Sequence, residues 1–275
     1  MIKPYYTNNN AELYQCDNLE LLKQIEDNSI DLIYCDILYN TGKKFKDYDD
    51  KLGTPLEAME WYKPRLIEMY RVLKDTGQVL LQCDYRLVHY LKVEMDKVFG
   101  YENFRNDIIW DYSGQSRATE ISCKHDNILR YTKSKKYTYN TQYKPYTEKT
   151  LKEFRHICED TGKKYCRTCR RDKDGNKVYY KTYLGEGACI TDVWSIGSLT
   201  QSSKERRSVN YDTQKPKVLL ELIIKAFSNE GCIVVDFFMG SGTTGVVANE
   251  LGRKFIGCDI GEKACVISKN RIESI

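Results

Sequence analysis

The sequence has no hydrophobic run long enough to cross a membrane, no internal repeat and no low-complexity tract. Its first ten residues contain no apolar core of the kind that a signal peptide needs. The cysteines number 11, an odd count with scattered spacing, which indicates reduced thiols rather than a disulfide framework. Only 3 histidines are present, and they lie far apart, so none is expected to be catalytic. These absences predict a cytoplasmic protein without a membrane segment.

The composition is that of a globular protein with an uneven distribution of charge. Apolar residues make up 41% and aromatic residues 12% of the 275 residues, enough to bury a substantial core. Residues 113–208 hold 21 Lys and Arg against 11 Asp and Glu, whereas the rest of the chain holds 22 against 28. A basic middle in an acidic remainder indicates a segment that binds a polyanion such as nucleic acid, although a solvated lysine-rich surface is the alternative.

Short apolar runs alternate with amphipathic segments on both sides of this basic middle. Strands are predicted at 12–17, 31–36, 79–83, 106–110, 232–235 and 254–259, and helices at 19–25, from Pro64 to near Gly77, at 87–99, from Pro216 and at 246–251. Periodicity fails from about 113 to 208. The pattern predicts an α/β domain with a mostly parallel sheet and helices on both faces. Its expected parts are 1–112 and 209–275, interrupted by a basic insert at 113–208.

The most informative stretch covers residues 234–245, with the sequence VVDFFMGSGTTG. A predicted strand precedes its turn and a predicted helix follows, so backbone N–H groups and the positive helix end face whatever binds there. Gly240 and Gly242 let the backbone approach a ligand closely. Thr243 and Thr244 stand where a phosphate-binding P-loop has Lys and Ser or Thr, which argues against that kind of site.

A second polar loop follows the strand predicted at 31–36 and reads DILYNTG over residues 36–42. In an open α/β sheet, ligands bind beyond the carboxyl ends of the strands, where this loop must lie. The exocyclic amine of a nucleobase is a poor nucleophile, because its lone pair is delocalised into the ring. The Asp36 carboxylate and the Leu38 carbonyl can accept its two hydrogens, and the Tyr39 ring can stack on the base.

Together the two stretches resemble the motifs of S-adenosylmethionine-dependent DNA amino-methyltransferases. The glycine-rich string is similar to the cofactor-binding motif of that family, and DILY is similar to its catalytic Asp-Pro-Pro-Tyr motif. Ile37 and Leu38 replace both prolines, which keeps the acceptor carbonyl but loses the stiffness of the proline pair. The catalytic motif comes first and the basic segment lies between the two, as in the β-class. The resemblance covers about 12–112 and 205–262, and the insert matches only in position and character.

The resemblance implies a Rossmann-like fold, S-adenosylmethionine as cofactor, double-stranded DNA as partner and residues 113–208 as a target-recognition region. It implies catalytic roles for Asp36, Leu38 and Tyr39. The expected cofactor-binding residues are Asp17, Asp36, Thr213, Lys215, Asp236, Phe237, Gly240, Ser241, Gly242, Thr243, Thr244 and Asp259. For Asp17 and Thr213 the alternative is capping of the following helix. Asp259 ends a predicted strand, where a carboxylate can accept hydrogen bonds from ribose hydroxyls.

The predicted activity is methylation of the exocyclic amine of a flipped DNA base, as part of restriction-modification. Adenine N6 is favoured over cytosine N4 because an acid, rather than Ser, begins the catalytic motif. A methyltransferase of RNA or of a protein amide, and a DNA-binding relative with weak catalysis, are the alternatives. Many members of the family pair into dimers, so the resemblance also allows a homodimer. His156 and four cysteines could hold zinc, but the spacing fits no common zinc finger and no metal site is predicted; the cysteines are Cys158, Cys166, Cys169 and Cys189.

Overall fold

The computed structural model describes residues 2–45, 48–112, 114, 118–209, 211 and 213–275. Its strands are β1 Tyr6–Thr7, β2 Ala11–Gln15, β3 Ile30–Asp36, β4 Lys43–Lys44, β5 Asp49–Asp50, β6 Leu73–Cys83, β7 Phe104–Asp111, β8 His125–Thr132, β9 Tyr143–Lys144, β10 His156–Ile157, β11 Lys164–Arg171, β12 Lys177–Tyr183, β13 Ala188–Cys189, β14 Val193–Ser195, β15 Ile233–Asp236 and β16 Lys254–Asp259. Its α-helices are α1 Asn18–Leu22, α2 Pro55–Val72, α3 Val88–Phe99, α4 Glu148–Glu153, α5 Lys204–Val209, α6 Lys217–Phe227, α7 Thr243–Glu250 and α8 Glu262–Glu273. The chain forms a larger unit, Met1–Asn140 with Asp192–Ile275, and a smaller unit, Thr141–Thr191.

A sheet of nine strands forms the centre of the larger unit, in the order β1-β2-β16-β15-β3-β6-β8-β7-β14. Adjacent strands run parallel except in the pairs β1–β2, β6–β8 and β8–β7. The predicted α/β fold with a mostly parallel sheet is therefore confirmed. The antiparallel strand β8 lies between β6 and β7, in the part of the chain where the sequence showed no periodicity.

Strand β3 shows why the sheet is covered on both faces. Successive side chains of a strand point to opposite faces, so Ile33 and Cys35 lie on one face and Leu32 and Tyr34 on the other. Each of these four side chains is at most 1% exposed. Ile33 and Cys35 belong to one apolar cluster with residues of α1, α2 and α3. Helices α6, α7 and α8 also belong to the larger unit, and α7 packs against both α6 and α8.

The helix predicted to begin at Pro64 begins instead at Pro55, so that prediction is wrong. Thr54 accepts a hydrogen bond from the Glu57 amide, and the Glu57 carboxylate accepts one from the Thr54 amide. This capping box, with proline in the first turn, is a stronger start signal than a proline alone. Pro64 lies inside the helix, which ends at Val72 rather than near Gly77, because β6 begins directly afterwards.

Residues 113–208 do not coincide with the smaller unit. Strand β8, strand β14 and helix α5 lie within this range and belong to the larger unit. Buried polar residues of β8, such as Asp126 and Arg130, interrupt the run of apolar residues by which a buried strand is predicted from the sequence. Residue 113, the first of the predicted insert, and residues 115–117 lie outside the described residues. The role of this region in target recognition stays a prediction.

The smaller unit contains an antiparallel sheet of β10, β11 and β12 and a separate pair, β9 with β13. In the β11–β12 hairpin, Arg167 lies opposite Lys181 and Arg171 opposite Lys177. Directly paired side chains project from the same face, so these four cations share one face of the hairpin, called the basic face below. All four are exposed. Across the described ranges, no helix is long and apolar enough to span a membrane.

Candidate active site

A cavity of about 620 Å³ lies at the carboxyl ends of four adjacent strands. An acid follows or ends each strand: Asp17 after β2, Asp36 on β3, Asp236 on β15 and Asp259 on β16. The parallel strands bring together residues that are more than 200 positions apart in the sequence. The volume lies within the usual range for small-molecule and cofactor sites. All the predicted site residues line this cavity except Gly242.

The glycine-rich turn between β15 and α7 is held by two carboxylates. Asp236 accepts hydrogen bonds from the Phe238 amide at 3.0 Å and from the Thr244 hydroxyl at 2.6 Å. Asp259 accepts one from the Gly240 amide at 2.9 Å. Burial raises the pKa of Asp236 to about 7, although the two hydrogen bonds favour the carboxylate. Both acids therefore fix the shape of the turn.

The two glycines of this turn serve different purposes. Gly240 has φ +48° and Gly242 has φ +71°, a left-handed backbone that favours glycine. A Cβ on Gly242 would lie 2.5 Å from the Ser268 hydroxyl of α8, so this glycine is needed for helix packing. A Cβ on Gly240 would meet the Tyr211 ring at 3.4 Å, and both residues line the cavity. Gly240 is therefore the glycine that permits close approach of a ligand.

The Asp17 side chain lines the same cavity and is held by groups that the sequence did not reveal. One oxygen accepts a hydrogen bond from the Leu19 amide at 2.8 Å, so Asp17 does cap α1. The other pairs with the Arg65 guanidinium at 2.7 Å. Arg65 also donates to Asn18 at 2.6 Å and stacks on the Trp61 ring. Nothing in the spacing of α2 identified Arg65, because its partners precede it by 47 and 48 residues.

The loop after β3 brings Asp36, Leu38 and Tyr39, the three predicted catalytic residues, to the cavity. The Asp36 carboxylate pairs with the Lys215 ammonium. The Leu38 carbonyl accepts a hydrogen bond from the Tyr62 hydroxyl at 2.8 Å. The Tyr39 hydroxyl lies 2.8 Å from Asp36, and the Lys215 ammonium lies 5.5 Å from the centre of the Tyr39 ring. Two hydrogen-bond acceptors and an aromatic ring therefore occupy one short loop.

Burial dominates the electrostatics of this loop. It raises the pKa of Asp36, and the nearby Lys215 ammonium opposes the shift without cancelling it. Burial also raises the pKa of Tyr39 well above its ordinary value, and the negative charge of Asp36 adds to that effect. Tyr39 is thus a neutral phenol at physiological pH. Lys215, expected near a cofactor, lines the cavity and also pairs with the Asp36 carboxylate of this loop.

Thr213 precedes α6 and hydrogen-bonds to the Tyr48 hydroxyl. The alternative that Thr213 caps this helix is wrong, because Pro216 occupies the N-cap position and no side chain caps it. No group of three or more His, Cys, Asp or Glu residues in the described part of the chain is arranged to hold a metal ion.

Comparison with known proteins agrees with this geometry. The family N6_N4_Mtase, described as DNA methylase, matches residues 30–270. The Type II methyltransferase M.HpaI of Haemophilus parainfluenzae is 33% identical, over 94% of this chain and 73% of that protein. M2.LlaDCHI of Lactococcus lactis subsp. cremoris is 31% identical, over 99% of this chain and 93% of that protein. The chain belongs to the DNA methylase family.

Family membership confirms the predicted DNA amino-methyltransferase and its cofactor, S-adenosylmethionine. The DNA methylase is also similar to the DNA adenine methyltransferase YhdJ of Escherichia coli (strain K12), at 30% identity over 94% of this chain and 81% of that protein. The fold matches the PvuII DNA methyltransferase (cytosine-N4-specific), with a TM-score of 0.67 and 18% identity over 98% of this chain and 89% of that one. Both target bases are thus represented among the proteins it resembles.

The cavity of this DNA methylase fits S-adenosylmethionine by the chemistry of its lining. Carboxylates at successive strand ends suit hydroxyl and ammonium groups, which donate hydrogen bonds. Phe237, Phe238 and Trp61 supply apolar surface for a purine ring. The bare backbone at Gly240 leaves space beside the turn. The sequence resemblance implied the carboxylates, Phe237 and Gly240, whereas Phe238 and Trp61 are additions from the structure.

Proposed function

We propose that this DNA methylase methylates adenine N6 in double-stranded DNA at a specific sequence. The observation that carries the proposal is the loop after β3, where the Asp36 carboxylate and the Leu38 carbonyl lie on the same cavity as the glycine-rich turn. A charged acceptor suits an adenine amine, whose lone pair is delocalised and must be freed for attack. The relative YhdJ, a DNA adenine methyltransferase, supports the choice of base. Cytosine N4 is the alternative.

Asp36 and the Leu38 carbonyl accept the two hydrogens of the amine, which moves the nitrogen lone pair out of conjugation. The Tyr62 hydroxyl holds the Leu38 carbonyl, which has a second lone pair to accept with. Asp36 takes the proton that the amine loses once its new bond to carbon has formed. The Tyr39 ring stacks on the flipped base and holds it in place. S-adenosylmethionine, when bound, would supply a methyl group on a positively charged sulfur, whose carbon–sulfur bond breaks as the nitrogen lone pair attacks and leaves its electrons on a neutral thioether.

The cofactor lies along the glycine-rich turn in this proposal. Asp17 and Asp259 would accept hydrogen bonds from its nucleoside part, and the backbone beside Gly240 would allow it to approach closely. Asp236 keeps the turn in shape and lies near its amino group, while Phe237 packs along it. Thr213 and Lys215 lie towards its carboxylate end. Lys215 also balances the charge of Asp36, so the loop carries little net charge before DNA arrives.

The smaller unit supplies the surface that contacts the phosphate backbone. On the basic face, Arg167 opposes Lys181 and Arg171 opposes Lys177. Like charges directly opposite one another destabilise a hairpin unless a polyanion neutralises them. Lys and Arg contacts to phosphates release counterions, so affinity gained this way falls as salt rises. This face supports residues 113–208 as the region of DNA recognition.

The test is a methylation assay with the purified protein, S-adenosylmethionine and a library of duplex DNA, followed by mass spectrometry of the nucleosides. N6-methyladenine confined to one sequence context is the expected result. N4-methylcytosine would establish the alternative base, and transfer only to RNA or protein would refute the proposal. Asp36→Ala is the matched control for background methylation. The role in restriction-modification is supported by the Type II relatives. A homodimer and a cytoplasmic location belong to the same proposal.

A further inference from the structure

The Tyr39 hydroxyl lies between two carboxylates, only one of which belongs to the catalytic loop. It is 2.8 Å from Asp36 Oδ1 and 2.7 Å from Asp126 Oδ2. Asp126 is the second residue of β8 and is 5% exposed. It lies 90 positions from Asp36 and matches no motif in the sequence. Neither the resemblance nor the family comparison assigns it a role.

A phenol has one proton to donate, so Tyr39 can serve only one of the two carboxylates at a time. Gln82 helps to decide which one. Its side-chain amide donates to Asp126 Oδ2 at 2.9 Å and to the Tyr39 oxygen at 3.1 Å. The Tyr112 hydroxyl donates to the other Asp126 oxygen at 3.2 Å. Asp126 is therefore a carboxylate held in one orientation by Gln82 and Tyr112 and directed at the Tyr39 hydroxyl.

We propose that Asp126 is a positioning residue for methyl transfer, which accepts the hydrogen bond of the Tyr39 hydroxyl when the target amine arrives. The inference rests on the proposed function. While Tyr39 donates to Asp36, its proton occupies the carboxylate oxygen that the amine needs. When the hydroxyl turns to Asp126, Asp36 Oδ1 becomes available to the amine and the Tyr39 ring stays in place. The exchange breaks one hydrogen bond and forms another, with no change in covalent bonds.

The charges around Asp126 make the inference testable by pH. Across the cavity, Asp36 is paired with Lys215. Burial is the main cause of the raised pKa of Asp36, and the negative charge of Asp126 contributes to the same rise. Other titratable groups also face Asp126. They are Tyr34 on β3, Tyr39 after β3, Cys83 at the end of β6, Asp84 after β6 and Tyr112 after β7. Arg86 neutralises Asp84.

The experiment compares Asp126→Asn with Asp107→Asn in single-turnover methyl transfer at saturating DNA. Asp107 lies on β7 and accepts hydrogen bonds from Asn127, so its replacement makes the same chemical change on the adjacent strand, away from Tyr39. Asp126→Asn offers Tyr39 only a neutral acceptor and should slow transfer about 10-fold. Cofactor affinity should stay unchanged. Asp107→Asn should retain the wild-type rate.

Two further measurements separate positioning from a structural role. The loss of rate at acid pH should move to lower pH in Asp126→Asn, since a charge that raises the pKa of Asp36 is gone. In a Tyr39→Phe background, Asp126→Asn should cost little more, because the hydroxyl through which it acts is absent. Asp126→Ser provides the same test if Asp126→Asn does not fold.

The inference would be overturned if Asp126→Asn were slower but lost its rate at the same acid pH as the wild type. It would also be overturned if the effects of Asp126→Asn and Tyr39→Phe on the rate were additive. A variant as fast as the wild type would overturn it as well, in which case the proposed function stands. A wild-type protein that transfers no methyl group to DNA would overturn the proposed function, and this inference with it.

Discussion

Replacing Ile37 with proline should destabilise the protein, although proline is the residue that the family motif has at this position. The Ile37 amide donates a hydrogen bond to the Gln82 carbonyl at 3.2 Å, one residue beyond the last pair of the β3–β6 ladder. Proline has no N–H, so this bond is lost. The Ile37 side chain is 3% exposed, so the smaller proline ring also removes packed atoms.

The expected effect is modest and has a definite sign. The lost hydrogen bond costs about 1 kcal/mol and the lost methylene about 0.8 kcal/mol. Proline returns about 0.4–1 kcal/mol by stiffening the unfolded chain. The net loss of about 1 kcal/mol corresponds to a fall in Tm of roughly 2–4 °C for a chain of this size.

Leu38→Pro is the matched control. Within the described residues the Leu38 amide donates no hydrogen bond, and its side chain is only half-buried. Stiffening of the unfolded chain is then the main effect, so Tm should stay the same or rise slightly. Thermal unfolding followed by circular dichroism measures both variants, and single-turnover transfer should be slowed in Ile37→Pro. An Ile37→Pro protein at least as stable as the wild type, or a Leu38→Pro protein that is the less stable of the two, would refute the reasoning.

Asp36→Asn should lower the rate of methyl transfer by about 100-fold or more, with cofactor affinity retained in calorimetry. Because burial raises the pKa of Asp36, the wild-type rate should decrease as the pH is lowered, and the decrease should begin above the ordinary pKa range of aspartate. A rate that stays constant down to pH 4 would contradict this. Gly240→Val should abolish cofactor binding without unfolding, since the added side chain would occupy space in the cavity that the bare backbone of Gly240 lines. Unchanged affinity would place the cofactor elsewhere. Arg171→Glu on the basic face should weaken DNA binding and reduce its salt dependence. Arg170→Glu, on the opposite face of the hairpin, should change the affinity and its salt dependence less. Equal effects of the two substitutions would argue against a face-specific contact.

The arrangement of strands was predictable from the sequence wherever an apolar run ended in an acid. In a sheet predicted to be mostly parallel, the acid after such a run is expected at the carboxyl edge, so Asp36, Asp236 and Asp259 could be placed on one cavity without coordinates. Strand β8 was missed because Asp126, Asn127 and Arg130 interrupt its apolar pattern. Their partners lie on β6 and β7, and one-dimensional periodicity does not register pairing between strands.

The same limit applies inside the site. The sequence identified residues that belong to contiguous motifs, but not the side chains that hold those motifs in place. Arg65 and Tyr62 project from α2 and reach Asp17 and the Leu38 carbonyl, which precede them by tens of residues. An arginine and a tyrosine on an amphipathic helix carry no sign of such contacts. Only the packing of α2 against the strand ends gives them a role.

The two missing prolines show how structure can replace what a motif lacks. In the Asp-Pro-Pro-Tyr form of the loop, the stiffness that aims the acceptor carbonyl lies in the proline rings themselves. Here the Ile37 amide ties the loop to β6, and the Tyr62 hydroxyl holds the Leu38 carbonyl from α2. Both contacts require groups outside the loop, and the first requires an N–H that proline does not have. The orientation of the carbonyl therefore depends on β6 and α2, so a substitution in either element can alter the catalytic loop without touching its sequence.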